Sequence, residues 1–140
     1  MTVKFEITSY VGAGCLTFGM TRGSIRKCFD NKFKEFKKTP NSETLTDAFG
    51  LCHVYYKKND TCEAVEFFGD ADVIFNDEQI IGRAYNEIKD WFDKIDELLD
   101  INDAGFTSLK YGIGVFAPFA RKEPEEPVES VIIFEEGYFD

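Results

Sequence analysis

Hydrophobic and polar residues alternate along several short segments of the chain, with the period of two that is typical of half-buried β-strands. At the start, Val3, Phe5 and Ile7 are apolar and the residues between them are polar. The same kind of pattern predicts strands over residues 15–18, 111–117 and 128–134.

A β-hairpin is predicted in the middle of the chain. The apolar segments 51–56 and 64–68 are separated by turn-forming residues that include Asn59 and Asp60. A third short strand over 72–75 is expected to continue this meander. Three consecutive strands favour an antiparallel sheet.

Apolar residues recur every three or four positions after Thr21, which is a typical helix N-cap residue. This spacing predicts an amphipathic helix with a basic outer face that ends or bends near Asp30 and Asn31. Its apolar stripe contains Ile25, Cys28, Phe29, Phe33 and Phe36.

A second amphipathic helix is predicted from Gly82 to about Leu99, where the apolar residues fall on one side at 100° per residue. The opposite side carries four carboxylates, which form either a solvated face or a stripe for binding a partner. These are Asp90, Asp93, Glu97 and Asp100.

These elements predict an α+β fold for the chain, with residues 1–140 forming a single domain. We expect an antiparallel, possibly mixed, sheet of about five to seven strands packed against two main amphipathic helices. The 44% hydrophobic content is sufficient for one core. No segment approaches the roughly 20 apolar residues of a membrane span, so we expect a cytoplasmic protein that does not bind membranes.

The segment 118–127 contains three prolines and three glutamates, which predicts an exposed loop or hairpin tip. Exposed loops often carry recognition residues, although a merely solvated loop is the alternative. The carboxylates that could bind a partner here are Glu123, Glu125, Glu126 and the adjacent Glu129.

The net charge of −10 argues against nucleic acid as a partner, because phosphate binding depends on Lys and Arg. The charge is uneven: residues 22–38 contain seven basic and two acidic residues, a balance of +5, so the rest of the chain carries −15. The basic segment could contact an acidic partner or another copy of the chain.

Catalytic and metal-binding patterns are not recognisable in the sequence. The only histidine, His53, follows Cys52 in a predicted strand, so the two side chains should point to opposite faces. Pairing of His53 with Cys15, Cys28 or Cys62 remains open. The cysteines lack the short spacings of zinc ligands and are expected to be reduced thiols. We therefore expect no enzyme activity, catalytic residues, cofactor or metal.

The chain resembles the small acidic immunity proteins of bacterial polymorphic toxin systems, including contact-dependent growth inhibition. The resemblance lies in the segment Leu16-Thr-Phe-Gly-Met-Thr21 leading into residues 22–29, and in the C-terminal segment from Val128 to Phe139. It implies a cytosolic protein that binds and neutralises a cognate toxin domain, which we expect to be a nuclease. The Gly-Met-Thr element also occurs in β-lactamase-inhibitor-like domains, where it usually recurs in tandem, whereas this chain has one copy.

Two other functions remain as alternatives at this stage. The first is a small-molecule-binding or sensor domain with an aromatic-lined pocket between sheet and helix. The second is an enzyme that uses scattered carboxylates or a Cys-His pair. The aromatic residues considered for the pocket are Phe67, Phe68, Phe75, Trp91, Phe116 and Phe119.

Overall fold

The computed structural model describes residues 4–139, and its secondary structure is mostly β. Within that range thirteen strands form two sheets, whereas the two helices contain only six and eleven residues. The expectation of an α+β fold with five to seven strands and two main helices is therefore wrong. Val3, which is predicted to belong to the first strand, lies outside the described residues.

The elements follow one another in a simple chain order. They are β1 (Lys4–Thr8), β2 (Gly12–Ala13), β3 (Leu16–Thr17), α1 (Arg22–Lys27), β4 (Lys34–Phe36), β5 (Thr46–Ala48), β6 (Cys52–Tyr56), β7 (Cys62–Phe68), β8 (Asp72–Phe75), β9 (Glu78–Gln79), α2 (Tyr85–Ile95), β10 (Asp100–Asn102), β11 (Gly105–Ser108), β12 (Ile113–Phe116) and β13 (Ser130–Phe134).

The smaller sheet has the strand order β3-β2-β1-β8-β9. Strands β1 and β8 are parallel, with Phe5 opposite Val73, and the other neighbours in this sheet are antiparallel. The predicted strand over 72–75 therefore exists, but it does not continue the hairpin meander. It pairs instead with the first strand of the chain, a long-range contact that local patterns do not reveal.

The larger sheet is antiparallel and has the order β10-β11-β12-β13-β7-β6-β5-β4. The predicted hairpin is confirmed as β6 and β7, and the predicted strands near 111–117 and 128–134 are confirmed as β12 and β13. Strands β5 and β10 fall in segments whose polar composition predicts loops.

The first predicted helix is correct only at its start. Thr21 caps α1, with its side chain accepting a hydrogen bond from the Ser24 N–H, but the helix ends at Lys27. Asp30 and Asn31 then adopt positive φ angles of 56° and 59°, in a region that Asp and Asn tolerate better than most residues. These two residues reverse the chain into strand β4, which begins at residue 34.

The second predicted helix exists but is shorter than residues 82–99. It ends because Asp96 is buried and its carboxylate accepts hydrogen bonds from the Leu98 N–H at 3.0 Å and the Ser108 hydroxyl at 2.7 Å. Leu98, assigned to the apolar stripe by its spacing, is 89% exposed. Glu97 and Asp100 consequently lie beyond the helix, and Asp100 belongs to β10.

The two sheets and α2 share one main hydrophobic core. The rings of Phe5 in β1 and Phe67 in β7 lie 4.7 Å apart and join the two sheets. Phe92 of α2 packs 6.0 Å from Phe75 in the smaller sheet and 5.0 Å from Phe106 in the larger one. The opposite side of α2, with its polar residues, is left facing outward. Among residues 4–139, no helix is long and apolar enough to cross a membrane.

Candidate functional site

The acidic loop 118–127 lies against the N-terminus of α2. The Tyr85 N–H donates to the Glu126 carbonyl at 2.9 Å, and the Asn86 N–H donates to the Pro124 carbonyl at 2.8 Å. The first N–H groups of a helix have no partner within the helix, and Ala84 at the N-cap offers no side-chain acceptor. Loop carbonyls therefore replace a side-chain cap and bring loop and helix onto one surface.

The loop carboxylates are close enough to affect one another. A hydrogen bond with Glu123 is the largest cause that raises the pKa of Glu126, and the negative charges of Glu123 and Glu129 add to it. Glu123 and Glu125 are exposed, as is Glu129 at the start of the approach to β13. The positive end of the α2 dipole lies at the same place and favours negative charge there.

The helix contributes fewer carboxylates to this surface than its sequence predicts. Asp90 is exposed and lies on the half of α2 nearest the loop, whereas Asp93 forms an ion pair with Lys89 at 2.9 Å. Glu97 lines a separate groove beyond the C-terminal end of α2. The predicted stripe is therefore divided, and only its first half adjoins the loop.

We name the surface formed by the loop carboxylates and Asp90 the acidic face. Among residues 4–139, its carboxylates form no ion pair, so their charge is not neutralised by the protein itself. It comprises Asp90, Glu123, Glu125, Glu126 and Glu129.

Two open grooves cross the acidic face and share Asn86 and Pro124. The first, about 600 Å³, is formed by Asn86 and loop residues 122–127. The second, about 360 Å³, lies between α2, the loop and the β10–β11 turn. Its lining residues are Tyr85, Asn86, Lys89, Asp90, Ile101, Asn102, Asp103, Ala120, Arg121 and Pro124.

Tyr85 and Asp103 line the second groove, but the sequence alone does not indicate either as a site residue. Tyr85 reads as one more apolar residue of the helical stripe, and Asp103 reads as a turn residue. Only the hairpin of β10 and β11 brings Asp103 to the groove, where it pairs with Arg121 at 3.0 Å. A missing side-chain cap before Tyr85 is the one local signal that another segment must satisfy the helix N-terminus.

Some basic side chains of the segment 22–38 form ion pairs inside the protein. Asp47 is completely buried, and its carboxylate accepts hydrogen bonds from Arg22 at 3.1 Å, from Arg26 at 2.8 Å and from the Tyr56 hydroxyl at 2.8 Å. The bond to Asp47 is the largest cause that raises the pKa of Arg26. Two of the seven basic residues of this segment are therefore held inside the fold.

Cys52 and His53 point to opposite faces of the larger sheet. Cys52 is buried in the core, where burial raises the pKa of its thiol to about 12. His53 lies on the other face, with its ring 4.9 Å from that of Phe36 and 4.8 Å from that of Phe68. All four cysteines are free thiols. Within residues 4–139 no three His, Cys, Asp or Glu side chains are grouped as a metal site would require.

The six aromatic residues considered for a ligand pocket do not line a common one. Phe67 and Phe75 are buried in the core, and the ring of Trp91 packs 6.0 Å from that of Phe75. Phe116 and Phe119 are exposed. The excess of aromatic residues is thus distributed between core packing and surface positions.

Comparison of the chain with protein-family models, with curated proteins and with solved structures finds no match.

Proposed function

We propose that this chain is a cytoplasmic immunity protein that binds a basic toxin domain, a nuclease, and neutralises it. The observation that carries the proposal is the acidic face, where none of the carboxylates forms an ion pair among the described residues. Three loop glutamates line the first groove together with Lys122, and Asp90 lines the second groove, which shares Asn86 and Pro124 with the first. Carboxylates that are already in ion pairs would have little unneutralised charge with which to attract a partner. The carboxylates of the acidic face form no such pair among the described residues.

The electrostatics of a nuclease complement such a surface. A nuclease cleft holds a phosphate backbone with Lys and Arg side chains, so its potential is positive. A protein that presents carboxylates is steered toward that cleft and can pair with the same side chains that would hold phosphate. The net charge of −10 extends this attraction beyond the contact surface.

The rigidity of the acidic face also favours a binding role. The loop, which carries three of the four glutamates of the acidic face, is attached to α2 by two backbone hydrogen bonds. Directly after the loop, the Val128 carbonyl accepts a hydrogen bond from the Gly82 N–H, and the Val128 N–H donates one to the Arg83 carbonyl. A loop that is held before the partner arrives loses less conformational entropy on binding. The resemblance to immunity proteins points to the same class of function.

Co-expression tests the proposal directly. Where a toxin is encoded beside this gene, cells that express its C-terminal domain should grow when the chain is co-expressed. The double variant Glu123→Lys/Glu126→Lys should lose this protection, and its association with the toxin domain should be at least about tenfold slower at low salt. The matched control Glu6→Lys/Glu136→Lys makes the same charge change at exposed residues that line neither groove.

The control separates a local effect from a change in net charge. Protection by the control variant together with failure of the double variant supports binding through the acidic face. If wild-type chain gives no protection, the immunity function is wrong. If both variants protect equally well, the assignment of the binding surface is wrong.

A further inference from the structure

The hydroxyl group of Tyr85 is buried and has no hydrogen-bond partner within residues 4–139. Tyr85 is only 5% exposed, and its ring packs 6.0 Å from that of Phe106. Buried tyrosine hydroxyls usually find a partner, because leaving one without a hydrogen bond is costly. Burial, together with the negative charge of Asp93, raises the pKa of Tyr85, so this hydroxyl stays neutral and can still accept or donate a hydrogen bond.

Tyr85 also forms part of the wall of the 360 Å³ groove. We call this groove the Tyr85 groove. Ile101, Ala120 and Pro124 give it an apolar surface, and Asn86 adds a neutral polar side chain. A polar group without a partner beside an apolar wall suits a ligand that has both a methylene stem and a polar end.

The one charge in the lining of the Tyr85 groove that forms no ion pair among the described residues is negative, which favours a cation. Its two basic side chains are already engaged, since Lys89 pairs with Asp93 at 2.9 Å and Arg121 pairs with Asp103 at 3.0 Å. Asp90 is the carboxylate of the lining that forms no ion pair among the described residues. An anionic occupant would have to displace one of these carboxylates, whereas a cationic one finds Asp90 available.

We propose that the Tyr85 groove binds the guanidinium group of an arginine side chain supplied by the partner protein, and this inference rests on the proposed binding of a basic toxin domain. The guanidinium donates to the Tyr85 hydroxyl oxygen and to the Asp90 carboxylate, while its methylene stem packs on the apolar wall. This contact requires the Tyr85 hydroxyl, which is buried in the free chain, to become accessible when the arginine enters.

Arginine fits this combination better than lysine. Its planar guanidinium carries five N–H donors that can reach two separate acceptors at once, and it is more weakly hydrated than an ammonium group. Loss of water from the occupant therefore costs less in a groove that is half apolar.

A titration with a small probe tests the inference without any toxin. N-acetyl-arginine amide is added to ¹⁵N-labelled protein, and backbone amide shifts are followed by NMR, with N-acetyl-lysine amide and N-acetyl-norleucine amide as matched probes. Shifts at Asn86, Asp90 and Ala120 that saturate at millimolar arginine probe, with at least about threefold weaker binding of the other two, are expected. Equal binding of the three probes, or shifts confined to other regions, would overturn the inference.

Two conservative variants locate the contact. Tyr85→Phe and Asp90→Asn should each weaken binding of the arginine probe by about tenfold, because the first removes an acceptor for a charged donor and the second removes the negative charge that attracts the guanidinium. Glu97→Gln, at the other end of α2, should bind as the wild type does. Unchanged affinity in Asp90→Asn, whose side chain is exposed and not needed for folding, would refute the assignment even if Tyr85→Phe proved unstable.

The two proposals fail separately. A chain that protects cells from the toxin but does not bind the arginine probe retains the immunity function and loses the arginine site. A chain that binds the probe through Tyr85 and Asp90 but gives no protection retains a guanidinium site and loses the immunity function.

Discussion

The backbone N–H of Tyr85 donates a hydrogen bond to the carbonyl of Glu126 at 2.9 Å, so the loop with three glutamates caps the eleven-residue helix α2. Helix N-termini carry a partial positive charge, and carboxylates near them are stabilised. Part of the reason for glutamates in this loop is therefore structural. The same contact holds them in place for a partner.

The prolines of the loop should control how firmly it caps α2. Replacing Pro124 and Pro127 by glycine increases the freedom of the unfolded chain and should lower the free energy of unfolding by about 1–2 kcal/mol. The amide protons of Tyr85 and Asn86 should then exchange with solvent at least about tenfold faster, measured by NMR hydrogen exchange. Unaltered exchange at these two amides would show that the loop does not cap the helix.

The buried Asp47 should be essential for stability. Asp47→Ala leaves Arg22 and Arg26 without their buried counter-charge and the Tyr56 hydroxyl without its acceptor. We expect the free energy of unfolding to fall by about 3–5 kcal/mol in urea titrations.

An exposed ion pair provides the control for Asp47. Glu43 pairs with Lys58 at 2.9 Å, and both side chains are largely exposed, so Glu43→Ala should change stability by no more than about 1 kcal/mol. Similar losses for Asp47→Ala and Glu43→Ala would contradict the internal role of the cluster.

The sequence predicts best where a local pattern and the tertiary contact agree. Strands β6 and β7 are short, mostly apolar segments joined by a turn that contains Asn59 and Asp60, so the hairpin is recognisable from its residues. The helix predicted over the basic segment 22–38 is wrong beyond Lys27 for a physical reason. Phe33 and Phe36 continue a helical spacing, yet Asp30 and Asn31 reverse the chain, and Phe36 then packs on His53 across the sheet.

The candidate site is predictable in composition but not in geometry. Prolines and glutamates indicate an exposed acidic loop, and periodicity places Asp90 on the outer side of α2. Nothing local brings the carbonyl of Glu126 to the N–H of Tyr85, because the two residues are far apart in the sequence and meet only in the folded chain. The helical spacing also places Glu97 and Asp100 on α2, which is wrong. The helix ends before them at Asp96, whose carboxylate accepts a hydrogen bond from the distant Ser108, and no local pattern indicates that contact.

Two glycines with different surroundings should respond in opposite ways to alanine. At Gly105, with φ of 151°, a Cβ atom would lie 1.9 Å from the Val115 carbonyl oxygen, so Gly105→Ala must displace backbone in the larger sheet. At Gly23 in α1 a Cβ atom meets nothing within 4 Å.

We expect Gly23→Ala to stabilise the protein by about 0.5–1 kcal/mol, because alanine favours a helix and restricts the unfolded chain. Gly105→Ala should destabilise it by more than about 3 kcal/mol, at the severe end of single substitutions. Thermal and urea unfolding of the two variants measure both changes in stability. A tolerated alanine at position 105 would show that the β11–β12 pairing differs from that described.

His53 should make stability depend on pH near neutrality. Burial between Phe36 and Phe68 lowers the pKa of His53, and the negative charge of Glu66 offsets part of this effect. Below the ordinary histidine pKa of about 6.5, the unfolded chain binds a proton more readily than the folded one. Stability is therefore lost as the pH falls through that value.

The variant His53→Gln isolates this contribution from that of the carboxylates. Between pH 7.5 and 5.5 the wild type should lose more of its free energy of unfolding than the variant, measured by urea titration at each pH. Parallel pH dependence in the two proteins would mean that the imidazole titrates alike in the folded and unfolded chains.

The same substitution at two buried tyrosines should have opposite effects on stability. Tyr56 donates its hydroxyl hydrogen to the Asp47 carboxylate at 2.8 Å, so Tyr56→Phe should lower the free energy of unfolding by about 1.5–3 kcal/mol. Tyr85→Phe removes a buried hydroxyl that has no partner in the described chain and should raise it by about 1 kcal/mol. Urea unfolding of both variants tests the difference, which does not depend on any partner. A loss of stability in Tyr85→Phe equal to that in Tyr56→Phe would mean that the Tyr85 hydroxyl already has a hydrogen-bond partner within the folded chain and is not available to an arginine.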